Sequence, residues 1–541
     1  MPETAAFRLA DRGWRTVLPR LADQVRRRTG WRRAVLALLL GLLAAPAMPP
    51  FNLVPLLVPS FTGLLWLLDG APTRRRAGVD GWLWGMGFFV PNLSWVAAAM
   101  FVDLAQFWWM IPVSVLGLPA AVSLFSAAAC ALCRALPARG LGRIWLFAIC
   151  WTLAEWLRGR IPFGGFPWAL IGYAWSSDSA VALDLMQTAS LFGVYGLGFF
   201  TVLIAASPAR FGDSLPVDGS FWKRLDGVAL AAVLLLAGIL WGAERLAHGV
   251  AGDVPGVQLR IVQTDVANRN DGQDRRLRLD RTVALARRPG AEAATAQIWP
   301  ESAVDYYLDD QPQLAAAIGA LTPPDGLVLT GTVLAHRDRG TEHETNSVAA
   351  LSPKGGIVGS YDKAHLVPFG EYIPLRWLLG FIPAVAERGS GWATGPGART
   401  LHLPNLPPVA VIICYEAVFP HAVIDEADRP GWLLNDTNDA WFGRSIGPDQ
   451  HFALARLRTV EEGLPLIRAA NGGISGVVDA YGRRVITLPP GQEAALDVKL
   501  PVALPTNTPY GTAGDAPLLL IVLLTLLTSA RRFMKLSENR Y

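Results

Sequence analysis

Eight apolar stretches, at about 34–49, 51–69, 80–101, 106–135, 143–157, 186–207, 227–246 and 516–530, constrain this chain more than any other feature. In a bilayer an apolar run satisfies its backbone polar groups by coiling into a helix, so each stretch predicts a membrane span. Several fall short of the ~20 residues of an upright span or contain proline, which leaves their edges approximate. Composition agrees: 52% of residues are hydrophobic, only 17% are charged, and mean hydropathy is +0.32. Such a balance excludes an ordinary soluble enzyme, and 20 tryptophans suit interfacial belts.

Basic residues orient the spans. Residues 1–33 carry nine arginines from Arg8 to Arg33, with no cleavage site after them, and predict a cytoplasmic segment rather than a removed leader. Arg74–Arg76 follow the second span and Arg134, Arg139 and Arg143 the fourth. Arg210, Lys223 and Arg224 follow the sixth, and Arg531, Arg532 and Lys535 the eighth. Basic exits mark cytoplasmic ends, so both termini, including the tail 531–541, are expected inside. Residues 256–500 then lie outside the cytoplasm. The loop from Glu155 to Trp168 falls on that outer side. Its Arg158 and Arg160, among glycines and aromatics, predict a site for a lipid phosphate, with snorkelling to the interface as the plainer alternative.

Residues 256–500 have another texture. Short β-rich runs at 257–262, 296–299, 327–331, 347–351, 409–413 and 432–434 alternate with helix-length segments, which predicts a layered α/β domain. One run, Val409 to Ile413, ends on Cys414, and Phe419 to Ala427 reads as a helix opening beyond it. A strand-end thiol facing a helix N-terminus would favour thiolate, although a lone cysteine is more often core filler. The other cysteines, Cys130, Cys133 and Cys150, lie in apolar runs and read as packing residues.

Two further motifs change the weight on Cys414. Ile298-Trp299-Pro300-Glu301-Ser302 ends a strand on a carboxylate, and Tyr361-Asp362-Lys363-Ala364-His365 leads through Phe369 and Gly370 to Glu371. A thiol nucleophile needs a base, which Glu301 can be, and a cation where charge develops on the carbonyl oxygen, which Lys363 can be. Glu371 can pair with Lys363 and hold it. A third motif, Asn438-Asp439-Ala440-Trp441-Phe442-Gly443, comes after the cysteine. Trp441, Phe442 and Phe369 are candidate walls for an acyl chain, with plain core packing the alternative. No metal-ligand cluster, nucleotide loop or nucleic-acid patch is evident, so neither a cofactor nor a metal is expected.

The Glu-Lys-Cys order in these settings resembles the nitrilase superfamily of carbon–nitrogen hydrolases over about 256–500. With the spans, the wording of the motifs and the Phe163-Gly-Gly-Phe-Pro-Trp168 loop, nearly the whole chain resembles the apolipoprotein N-acyltransferases. The resemblance implies a multi-span α-helical membrane domain plus an extracytoplasmic αββα sandwich, with Glu301, Lys363 and Cys414 catalytic. It implies supporting roles for Glu371, Tyr415, Glu416 and Trp441, and contacts to lipid are expected from Arg158, Trp168, Phe369 and Phe442. It further implies a phospholipid acyl donor, phosphatidylethanolamine by expectation, and a diacylglyceryl apolipoprotein acceptor. The setting would be the bacterial inner membrane, the enzyme a monomer with its site on the periplasmic face. A membrane-anchored amidohydrolase for a small amide would share the triad, and a transporter with a degenerate outer domain would not need it.

Overall fold

The computed structural model describes residues 17–213, 225–250, 252–267, 272–338, 341–375, 377 and 391–538. Arg8, Arg12, Arg15, Lys223 and Arg224 therefore lie outside the described residues. Helices form at all eight expected places: α1 (Gly30–Ala44), α2 (Leu57–Asp69), α3 (Arg74–Leu93), α4 (Leu118–Ala135), α5 (Leu141–Arg158), α6 (Ala189–Ala206), α7 (Asp226–Ala247) and, after the α/β domain, a last helix Ala516–Glu538. Among the described residues five stretches are long and apolar enough to cross a bilayer: Gly30–Ala47, Arg74–Phe107, Met110–Ala135, Ala189–Gly212 and Asp226–Ala247. Val54–Asp69 is apolar but shorter.

Where the bundle packs most closely, glycine sets the distance. A Cβ on Gly41 of α1 would sit 1.9 Å from the Trp84 carbonyl oxygen of α3, and one on Gly87 of α3 would sit 2.1 Å from that of Leu38. In lipid, where burial alone does not drive helices together, such close backbone approach does. Buried charge pins the basic end: Arg33 meets Asp80 at 2.7 Å, and Arg143 meets Asp69 at 2.8 Å and Asp213 at 3.0 Å. Cys130, Cys133 and Cys150 are free and buried, as packing residues would be.

Residues 253–501 hold two six-stranded sheets, ordered β12-β1-β2-β3-β4-β5 and β11-β10-β9-β8-β7-β6. In the first, β1 (Asp253–Gln263), β2 (Ala296–Tyr307) and β3 (Leu327–Asp338) run parallel, and β4 (Thr341–Leu351), β5 (Ile357–Asp362) and β12 (Ala494–Pro501) are antiparallel additions. In the second, β7 (Val409–Ile413), β8 (Trp432–Asn438) and β9 (Leu466–Asn471) are parallel. β6 (Thr400–Leu401), β10 (Ser475–Val478) and β11 (Arg484–Leu488) complete it antiparallel. All six expected strand runs are present, several longer than their apolar kernels.

The sheets face each other across a core that includes Ile261, Ile298, Leu329, Val411 and Leu434. Helices α8 (Gly272–Ala286) and α9 (Pro312–Gly319) cover the first sheet. Helix α10 (Gly447–Glu462) covers the second and is buried along its length. One side of α10 meets that sheet through Phe452 and Ala455. The other meets the membrane helices through Leu454, Leu457 and Val460. This αββα sandwich is therefore docked on the bundle, and α5 and α6 reach it with the loop between them. The 18 residues of α5 span about 27 Å. That length separates the Arg143 ion pairs from the docked domain.

Candidate active site

Cys414 ends β7 as expected, but the segment beyond it is not the expected helix. Cys414–Val418 is a single 3-10 turn, and the backbone then proceeds through turns and bends. No helix dipole of useful length therefore faces the thiol. Cys414 itself has φ +48°, a left-handed conformation that costs a non-glycine residue about 1–3 kcal/mol and marks a site where the side chain must be presented at a sharp bend. The side chain is almost fully buried. Burial first, then the charge of Glu301, push its thiol well above the usual range, against the pull of Lys363 and a hydrogen bond from Thr437. The resting sulfur is a protonated thiol, and attack requires a base.

The structure brings the expected base, cation and supporting acid to it. Lys363 Nζ, buried just beyond β5, lies 2.7 Å from Glu371 Oε1 and 3.4 Å from Glu301 Oε1. Burial disfavours its charge, but Glu301 first and then Glu371 outweigh that and hold the ammonium charged well past its ordinary range. Asn346 Nδ2 on β4 bridges both acids, donating to Glu301 Oε1 at 2.7 Å and Glu371 Oε1 at 3.1 Å. The other oxygens are also fixed. Glu301 Oε2 accepts from the Asn438 N–H at 2.8 Å, and Glu371 Oε2 from that of Val367 at 2.7 Å. These bonds orient both carboxylates before any substrate arrives.

Glu416 ties the nucleophile turn to the lysine loop. Its Oε2 accepts from the Ile413 N–H at 2.7 Å, and its Oε1 from Ala364 N–H, Tyr361 OH and His365 N–H at 2.8, 2.9 and 3.1 Å. Burial raises its pKa, and the backbone donors work against that rise. In Glu416→Gln one acceptor oxygen becomes an NH2 group facing a donor. The expected loss is about 2–3 kcal/mol of stability, since a buried N–H is left unpaired, together with activity, read by thermal unfolding and acyl transfer.

Tyr415 points the opposite way, donating to the Gly165 carbonyl at 3.0 Å in the loop after α5. Beneath the site, His451 of α10 contacts the Cys414 carbonyl oxygen at 3.0 Å and Asp439 at 2.8 Å, and Arg468 pairs with Asp439 at 2.7 Å. Burial would raise the Asp439 carboxyl, but the Arg468 guanidinium, with His451 and Thr437 beside it, outweighs that and draws it down to about 2. Asn346, His451, Arg468 and Gln450 were not found from sequence. None sits in a stretch whose residues announce chemistry, and each has a partner distant in the chain.

The expected lipid contacts divide. Arg158 is buried, and its Nη1 donates to the carbonyls of Phe166 at 2.8 Å and Trp168 at 2.6 Å, so it braces the loop rather than meeting a phosphate. Trp168 is also buried, its indole N–H on Gln450 Oε1 at 2.7 Å. It belongs to the domain junction, because Trp95, Phe442 and His451 pack around it. Phe442 is thus a half-buried member of that cluster, whereas Trp441 and Phe369 are exposed.

Similarity to known proteins respects the same division of the chain. The family model for the apolipoprotein N-acyltransferase N-terminal domain matches residues 40–207, and that for carbon-nitrogen hydrolase matches 258–510. An apolipoprotein N-acyltransferase of Bradyrhizobium diazoefficiens is 41% identical over 93% of this chain and 95% of its own length. The chain belongs to the apolipoprotein N-acyltransferase family. A Brucella melitensis protein of that name is 38% identical, over 97% of this chain and 100% of its own. A crystal structure of a carbon-nitrogen hydrolase from Helicobacter pylori G27 overlaps 45% of this chain and 88% of that one, with 15% identity and a TM-score of 0.32. For this acyltransferase-family chain the sandwich is established by the strand order and by the family-model match over residues 258–510.

Proposed function

We propose that this apolipoprotein N-acyltransferase works by a thioester on Cys414, with Glu301 as base and Lys363 as the oxyanion's cation. Glu301 takes the thiol proton as the sulfur attacks the ester carbonyl of a phospholipid, phosphatidylethanolamine by chemical expectation. The charge that develops on the carbonyl oxygen falls beside Lys363 and the backbone N–H groups after Cys414. The acyl C–O bond breaks and Glu301 returns the proton to the leaving lysophospholipid. The neutral α-amine of a diacylglyceryl-cysteine then attacks the thioester, the C–S bond breaks, and its proton passes through Glu301 to the sulfur. Splitting the transfer this way lets two lipid-anchored substrates use one site in turn.

The observation that carries this reading is the convergence of Glu301, Lys363 and Cys414 in one buried cluster tied to the membrane half. The loop 365–375 leaves that cluster and meets the loop after α5, where Phe369 packs on Phe163 and Tyr372 OH lies 3.4 Å from the Phe163 carbonyl. Phe369 and Leu375 are exposed along it, as is the nearby Trp377, which suits a loop dipping into lipid. With basic exits at the far end of the bundle, the reading has eight spans, cytoplasmic termini, a periplasmic active site and a monomer in the bacterial inner membrane.

Incubation with phosphatidylethanolamine alone tests it. An acyl adduct should map to the Cys414 peptide, vanish with hydroxylamine and transfer to a diacylglyceryl peptide. Purified protein that acylates the peptide with no adduct at Cys414 would exclude the mechanism. Hydrolysis of small amides with no acyl transfer would favour the amidohydrolase.

A further inference from the structure

One buried acid beside the triad has no part in that scheme. Asp436 on β8 is buried, paired in register with Ile413, the residue before the nucleophile. Its side chain points between the sheets. A Cβ on Gly331 of β3 would sit 2.7 Å from Asp436 Oδ2 and 2.5 Å from the Glu301 Cα, so glycine at 331 leaves the room that the carboxyl occupies against Glu301. Neither carboxyl oxygen of Asp436 has a hydrogen-bond partner among the described residues. Glu462 at the end of α10 shares that lack, but the acids around the nucleophile are heavily bonded, Glu416 by four donors and Glu301 by three.

Around Asp436 stand Glu301 from β2, Lys363 from beyond β5, and Arg468 from β9, while β3 and β7 present Gly331 and Ile413. Lys363 and Arg468 are already engaged, the first by Glu301 and Glu371, the second by Asp439 and Asn435. Two carboxyls that feel each other's charge across a dry interior do not both ionise readily, and the proton settles on the one with fewer donors. We propose that Asp436 is a positioning residue for proton transfer: the Glu301–Asp436 pair holds one proton, kept on Asp436 by its lack of donors, so that Glu301 stays free to deprotonate Cys414. Burial and the Glu301 charge push Asp436 well above the ordinary carboxylate range, which agrees.

This arrangement has two consequences of definite sign. An ionised Asp436 adds a negative charge beside Glu301 and Cys414 and opposes the thiolate, so acylation falls as pH rises through its ionisation, by about tenfold per pH unit. Folding also carries a pH-dependent cost at this residue. Its folded pKa is raised, so the penalty is absent below the unfolded carboxylate range and grows as pH rises above it. An unpartnered buried acid of this kind suits a site where stability is given up for function.

The inference rests on the thioester reading, and the test separates the two. Adduct formation at Cys414 is followed from pH 5 to 10 in wild type and Asp436→Asn, with infrared difference spectra and melting temperatures of each. Expected are a wild-type alkaline fall that D436N lacks or displaces upward, and a protonated-carboxyl C=O band in wild type missing from D436N. D436N should also melt higher, by a margin that widens from pH 5 to 8. Superimposable pH profiles, or no difference in the carboxyl band, would overturn the role of Asp436. Absence of any wild-type adduct would instead overturn the thioester itself. A poorly folding D436N leaves the decision to the wild-type profile and to Asp436→Leu, which fills the apolar space. An alkaline fall retained in D436L also overturns it.

Discussion

Replacing Cys414 by alanine is expected to reduce acyl transfer by roughly 10⁴-fold or more, and Cys414→Ser by nearly as much. A serine hydroxyl keeps the size and the bend but is a much weaker acid, and Glu301 is a carboxylate, not an imidazole. A carboxylate base suffices for a thiol only because Lys363 stabilises the developing anion. Stability should barely change in either variant. The side chain is small, and the strained backbone at φ +48° is imposed by the bonds of Glu416 and His451 around it. Folding is checked by thermal unfolding in detergent, transfer with a diacylglyceryl peptide, and the adduct by mass. A C414A protein that still transfers at one-tenth of the wild-type rate would rule out covalent catalysis.

Much of this site was legible in the residues, for local reasons. The β-branched run Val409 to Ile413 is buried on both faces and reads as a strand whatever its neighbours do, so the location of Cys414 was fixed by composition. Glu301 and Lys363 sit in stretches whose proline, glycine and aromatic content announces special backbone. The features that escaped are set by partners distant in sequence. The helix expected from Phe419 has the right residues, yet Tyr415, Val418 and Phe419 pack on the membrane bundle, and the chain there obeys that contact rather than its own propensity. Arg158 looked like a headgroup ligand because nothing local shows that it folds back on the carbonyls of Phe166 and Trp168. Asn346 bridges two acids 45 and 25 residues away, and such a bond leaves no periodic trace. The same holds for α10: its burial on both sides is visible only once the bundle is in place.

Lys363→Met should be the most damaging change to both halves of the chemistry and to the fold. Methionine matches the length of the stem and removes only the ammonium. Glu301 and Glu371 then face each other across Asn346 with no cation between them. Leaving buried charge uncompensated costs about 3–5 kcal/mol, so the variant is expected to melt well below wild type at pH 8. The two carboxylates have a way out, which is to bind a proton. Their folded-state proton affinity rises above that of the unfolded chain, so the variant gains stability as pH falls toward 5, reversing part of the loss. Activity does not share that recovery. A protonated Glu301 is no base, and the carbonyl oxygen has lost a charged donor worth about 10²–10³ in rate. Thermal unfolding and thioester formation measured together from pH 5 to 8 should therefore diverge in K363M, stability rising at low pH while acylation stays absent. Acylation within tenfold of wild type, in a variant shown to be folded, would make Lys363 a structural counter-ion and move the oxyanion's stabilisation to the backbone N–H groups of the turn beyond Cys414.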